Sequence, residues 1–200
     1  MKKNSRRKDF LMLRSFGQEL ISTNHLDFVE WVLISGMLFG AEEEWWGEGR
    51  CRPLPHEGID LALYRDCRGK TVSLKGRTRI PVAAAGEVVA VIKDFLGRSI
   101  FVHHVQYDEE DVRLFTLYGH TRPYPGVVPG CFLQAGEVMA TLAEVRNPVP
   151  GLLPHLHLSV ALIPRSISQE ELCWERLTLR DDVVFIDPVE LLEGRYIIES

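Results

Sequence analysis

Pro154-His155-Leu156-His157-Leu158 leads into Ser159-Val160-Ala161-Leu162, and the alternation along this run is that of a β-strand. Successive side chains on a strand point to opposite faces, so His155 and His157 project together while Leu156 and Leu158 point the other way. Val160 and Leu162 extend the apolar face toward a core. The Cα atoms of the two histidines stand about 7 Å apart, two strand rises. At that separation one imidazole can ligate a metal while the other handles a proton beside it. Two solvated histidines on a strand edge would read the same way, so the pair needs support from the rest of the chain.

That support lies upstream in His56-Glu57-Gly58-Ile59-Asp60. The stretch begins like a zincin helix, but position 60 is Asp where that motif requires His, and Gly58 is a poor helix interior. Read as an entry into a strand, it puts His56, Gly58, Asp60 and Ala62 on one face and Ile59, Leu61 and Leu63 on the core face. An imidazole and a carboxylate then flank a glycine, and a metal could sit over Gly58 without a clash. A third histidine, His120, ends the strand segment Leu117-Tyr118-Gly119-His120. His103 and His104 are adjacent, so one faces inward, and both read as packing or supporting residues. His25 reads as solvated.

From Ile59 onward the hydrophobic period is two. The expected strands are 59–64, 80–83, 87–93, 99–105, 112–118, 138–143, 156–163 and 183–186, with a first strand at 32–39. Turn signals at Gly69, Gly76, Gly86, Gly97, Gly126, Gly130 and Gly136 separate them. This pattern predicts a mainly β protein, an antiparallel sheet folded as a sandwich or open barrel. Residues 1–31 read as a helical N-terminal arm, in which Thr23 or Asn24 caps a second short helix through Trp31. Residues 32–200 read as the domain, closed by a helical turn over 189–192.

The 200 residues suffice for one domain with a core, at 46% hydrophobic and 26% charged. Net charge is −5, but Lys2, Lys3, Arg6, Arg7 and Lys8 hold five of the 23 basic residues, leaving 18 against 28 acids, or −10, elsewhere. A body that acidic excludes a nucleic-acid partner. No uninterrupted apolar segment follows the basic start, so no export signal is expected. Residues 28–40 contain Glu30 and are too short for a transmembrane segment. Cys51, Cys67, Cys131 and Cys173 stand far apart with no CxxC pair, and read as free, mostly buried thiols.

Taken together, these motifs resemble the lysostaphin-type (M23, LytM-like) zinc endopeptidases over about residues 35–188. Phe39-Gly40 precedes the site as in that family. His56-Glu57-Gly58-Ile59-Asp60-Leu61-Ala62 matches its H-x-G-I-D-[IL]-A signature. Residues 81–88 fit the strand and glycine turn that follow, and Ala135-Gly136-Glu137-Val138 fits a later glycine region loosely. Tyr118-Gly119-His120 fits its Y-x-H segment, with Thr121 where Leu is usual, and His155-Leu156-His157 fits the closing H-L-H.

The resemblance implies a single zinc ion (Zn2+) per chain, held by His56, Asp60 and His157 with a fourth place open, the catalytic type of site. It implies that His120 and His155 flank the attacking water, one as general base and one steadying the oxyanion. It implies peptidoglycan cross-links or stem peptides as substrate, met in the periplasm or outside the cell. Two departures bear on the groove. Residues 147–154 are rich in proline and apolar residues where the family is glycine-rich, and residues 106–111 insert four acids. A member that binds wall peptide without cutting it, or regulates another hydrolase, is the competing reading, as is a peptidase acting on non-wall peptides.

Overall fold

The structure is a computed structural model that describes residue 13 and residues 16–108, 110–145 and 149–199. The basic start of the chain and Asn147-Pro148 lie outside these.

The chain is mainly β, in two open sheets. A helix, α1 (Phe16–Asn24), buries Phe16, Leu20 and Ile21 on one stripe. It ends where His25 takes a left-handed φ of 51°. The N–H of His25 then bonds Ser22 O and that of Leu26 bonds Ile21 O, both at 3.2 Å, the paired closure of a helix C-terminus. Asn24 therefore caps nothing downstream. Its amide instead donates to Arg79 O and accepts from Arg79 N, both at 2.8 Å. The expected second helix through Trp31 does not form, because Glu30 and Trp31 already belong to strand β1 (Glu30–Ile34).

β1 pairs antiparallel with β3 (Leu63–Arg65), which pairs with β4 (Thr71–Ser73), and on its other edge β1 runs parallel to β13 (Tyr196–Glu199). These four form the smaller sheet. The expected strand over 32–39 stops at Ile34, where a 3-10 turn, Ser35–Met37, takes over. The expected helical turn near the C-terminus is the 3-10 segment Pro188–Leu192.

The larger sheet has β6 (Gly86–Lys93), β7 (Arg98–His103), β8 (Val112–Pro123) and β11 (Leu156–Pro164) at its centre, all antiparallel. β9 (Phe132–Leu133) and β12 (Val184–Ile186) lie at its edges. β10 (Val138–Leu142) joins β5 (Arg79–Pro81) to the far end of β8. β2 (Ile59–Leu61) pairs with the start of β11, and after Ala62 alone the chain passes into β3 of the other sheet.

The main core lies between the sheets and under α1, around Trp31, Leu33, Met37, Ile59, Leu61, Tyr118, Leu156 and Leu158, all fully buried. Each such aliphatic side chain contributes about 1.5–3 kcal/mol by leaving water. A second cluster covers the outer face of the large sheet: Phe101, Phe115, Leu117, Ala161 and Ile163 meet Ile167, Leu172 and Leu177 from the segment that holds α2 (Trp174–Leu177). Only one face of β11 was expected in a core; from Leu156 through Ala161 both are buried.

Candidate metal centre

β11 lies between β2 and β8, and His157 is paired in register with Asp60 on one side and Gly119 on the other. Strand pairing alone thus brings two distant motifs together. His56 precedes β2, and its backbone is fixed by exchanging hydrogen bonds with the 40–41 turn: its N–H bonds Ala41 O at 3.0 Å and its carbonyl accepts from Gly40 at 2.8 Å.

Gly58 makes this register possible. A Cβ there would stand 2.4 Å from Leu158 O and 2.5 Å from Ser159 Oγ. The expectation that a metal sits over Gly58 is corrected: the bare Cα makes room for the β11 backbone, and the open side is elsewhere.

Three atoms converge. His56 Nε2 lies 3.0 Å from His157 Nδ1 and 3.3 Å from Asp60 Oδ1, and His157 Nδ1 lies 3.0 Å from Asp60 Oδ1. All three residues are buried. His56 Nδ1 donates to Leu38 O at 3.0 Å, which leaves its Nε2 as a lone pair. The three mutual contacts thus join two ring nitrogens and one carboxylate oxygen.

The electrostatics favour an ionised Asp60 beside the imidazoles. Burial works against a charged His56, yet the Asp60 carboxylate raises its pKa. Burial would raise Asp60, yet His56, His155 and the hydrogen bonds from His157 and His56 hold it well below the usual carboxylate range. Ligand atoms around a tetrahedral metal with bonds of about 2.0–2.1 Å are separated by roughly 3.3 Å. The two nitrogens and one oxygen present here fit a divalent cation with borderline preferences.

These three residues are braced from outside. Trp45 donates its indole N–H to Asp60 Oδ2 at 2.7 Å, and Arg52 Nη2 approaches the same oxygen at 3.7 Å. His157 Nε2 is 2.9 Å from Ser159 Oγ, and the Trp174 ring meets the imidazole edge-on at 5.1 Å.

His120 and His155 lie beside the triad, their rings 4.7 Å apart, with His120 6.0 Å from His157. His155 donates from Nδ1 to Leu153 O at 2.8 Å. Its Nε2 is buried without a hydrogen-bond partner among the described residues, 4.0 Å from Asp60 Oδ2. Burial lowers its pKa to about 4, so the imidazole is neutral with a free lone pair.

His120 sits on a bulge where β8 leaves β7, two residues opposing one between Arg98 and Ile100. Its φ is 60°, the left-handed region that non-glycine residues seldom occupy. The site opens into a cavity of about 310 Å³ lined by Trp46, Arg52, Phe95 and Trp174 among others. A larger cavity of about 1030 Å³ shares Trp46, Lys93 and Phe95 with it.

His56, Asp60, His157, His120 and His155 are therefore gathered at one place, as the motifs require. His104 is instead buried between Ala85 O and Thr116 Oγ, and His103 pairs with Asp108, both structural. The four cysteines are free, as expected, but not buried: Cys51 and Cys67 are exposed and the other two half-buried. Sequence reading missed Trp45, Arg52, Asp94 and Trp174. Only Asp94 carried a signal, the turn pattern Asp94-Phe95-Leu96-Gly97 with Asp first and Gly fourth.

No family model matches the chain, and no curated protein does. Among solved structures the fold is similar to that of lysostaphin, at 16% identity and a TM-score of 0.47 over 82% of this chain and 57% of that one. It is similar to LytU, at 21% identity and a TM-score of 0.40 over 62% of this chain and 74% of that one. Csd3 of Helicobacter pylori is similar at 19% identity and a TM-score of 0.40, over 80% of this chain and 39% of that one. The chain thus spans less than two thirds of the lysostaphin and Csd3 chains.

Proposed function

We propose that the chain is a zinc-dependent endopeptidase, with His56 Nε2, Asp60 Oδ1 and His157 Nδ1 as the ligand atoms. The observation that carries this reading is the convergence of two ring nitrogens and one carboxylate oxygen at 3.0–3.3 Å, all three residues buried. A zinc ion held there would polarise the scissile carbonyl and lower the pKa of the attacking water.

The chain's own groups do the rest. His155, neutral and with Nε2 unpartnered, takes the proton of the attacking water and returns it to the leaving amine. His120, across from it, steadies the negative charge that develops on the carbonyl oxygen. Trp46 and Phe95, 6.3 Å apart, line both cavities and exclude water from the flank of a bound peptide. The motif set further supports peptidoglycan cross-links or stem peptides as the substrate, encountered in the periplasm or outside the cell.

Digestion of purified peptidoglycan, with products identified by mass spectrometry, tests the reading. New amine and carboxyl termini should form, be abolished by a chelator and return with zinc. A reconstituted protein that holds no zinc and releases no peptide is instead a binding scaffold.

A further inference from the structure

Asp94 stands outside the motif set, in the turn that joins β6 to β7, with its side chain only 6% exposed. Its Oδ1 accepts the backbone N–H of Leu96 at 3.0 Å and of Gly97 at 2.6 Å. Its Oδ2 accepts the Ser99 hydroxyl at 2.8 Å and the backbone N–H of His120 at 2.8 Å. Trp174 donates its indole N–H to Ser99 Oγ at 2.8 Å, so the proton of that hydroxyl is left for Asp94. Four donors and no acceptor face these two oxygens, and only an ionised carboxylate satisfies all of them. Burial alone would raise its pKa; the contacts with His120 and the Gly97 N–H hold it well below the usual range.

Two of the contacts act on His120. The bond to its backbone N–H holds the residue in its left-handed conformation, which an L-residue in mid-strand does not adopt unaided. Oδ1 also lies 3.3 Å from His120 Nδ1. That is near enough to draw the ring proton to Nδ1, although the two are not aligned as a hydrogen bond. The turn and the bulge face each other across the β7 edge, so a short loop and a strand distortion are locked by one side chain.

We propose that Asp94 is the positioning residue of His120: it fixes the backbone that carries the ring and holds one proton on Nδ1, so that Nε2 is the nitrogen whose proton meets the developing oxyanion. This rests on the role given to His120 above. Ser99 and Trp174 complete the arrangement by tying the same carboxylate to the segment that covers the outer face of the sheet.

The test combines nitrogen-15 NMR of the histidine rings in the zinc-loaded protein with steady-state kinetics. The parent protein should show His120 with a proton on Nδ1. Asp94→Asn turns an amide N–H₂ toward groups that only donate; it should mix the tautomers and lower kcat about 100-fold, the cost of a small misplacement. KM and zinc content should stay unchanged. If Asp94→Asn does not fold, Ser99→Ala should show the same changes in smaller degree. An Nε2–H tautomer in the parent, or kcat and tautomer retained in Asp94→Asn, overturns the inference. A parent that cuts no peptide refutes the peptidase reading, while the ring spectrum still decides whether Asp94 sets the tautomer.

Discussion

Trp45 donates its indole N–H to Oδ2 of Asp60 at 2.7 Å, and this bond determines that Oδ1 is the oxygen facing His56 and His157. The indole is a donor only, so Oδ2 serves it as an acceptor. Trp45→Phe keeps the ring that packs 5.0 Å from His155 but removes the donor. Zinc affinity should fall about 10–100-fold, as when other hydrogen-bonding supports of metal ligands are lost. Competition with a chromogenic chelator measures it, and Trp46→Phe should leave the affinity unchanged.

Ligands and proton carriers should separate cleanly. His56→Ala, Asp60→Ala and His157→Ala each remove a metal bond, so zinc content and hydrolysis should fall together. His120→Ala and His155→Ala should retain zinc yet lose about 10²–10⁴-fold in rate. Elemental analysis alongside peptide hydrolysis reads both. A His155 variant that loses zinc while the His157 variant keeps it would exchange the two roles.

Gly58→Ala should disturb the centre without touching a ligand. Its Cβ would meet Leu158 O at 2.4 Å, and a paired strand backbone cannot yield. Overpacking of this kind costs about 1–3 kcal/mol, a Tm lower by about 3–10 °C in a chain of this size. Calorimetry should show that drop, and zinc should bind more weakly because Asp60 and His157 lose their register.

Acid should destabilise the metal-free protein over a defined window. His104 and His155 are both pushed down to about 4, in each case by burial. Unfolded, each binds a proton below about 6.5, whereas folded it stays neutral until pH 4. Their contribution is therefore fully present above pH 6.5 and is lost as pH falls toward 4, by about 3 kcal/mol per group at most. Urea unfolding across pH 7 to 4 should show the decline, and His104→Gln should reduce its slope by about one proton.

The strands with clear alternation, β6, β7, β8 and β11, were legible because one face of each meets the inter-sheet core. β4, β9 and β13 were not, since two to four residues carry no period and their partners lie far off in sequence. The helical reading through Trp31 failed for the same reason: Glu30 and Trp31 pair with Arg65 and Tyr64 on one side, and Trp31 with Tyr196 on the other. The five histidine and aspartate positions were legible because short motifs hold them. Trp45 and Arg52, Asp94 and Trp174 arrive from three separate segments, and only the folded sheet reveals that they meet.

The parallel pairing of β1 with β13 has a consequence for biosynthesis. A chain leaving the ribosome N-terminus first exposes Trp31 to Ile34 early, yet their partners are Tyr196 to Glu199. β3 can take up one edge within a few tens of residues, while the other edge waits until Tyr196 to Glu199 have been translated. Contacts this distant in sequence close late because the loop entropy is spent before the contact rewards it. Until then the nascent chain carries an open strand edge, and a chaperone that shields extended segments would find its binding site there.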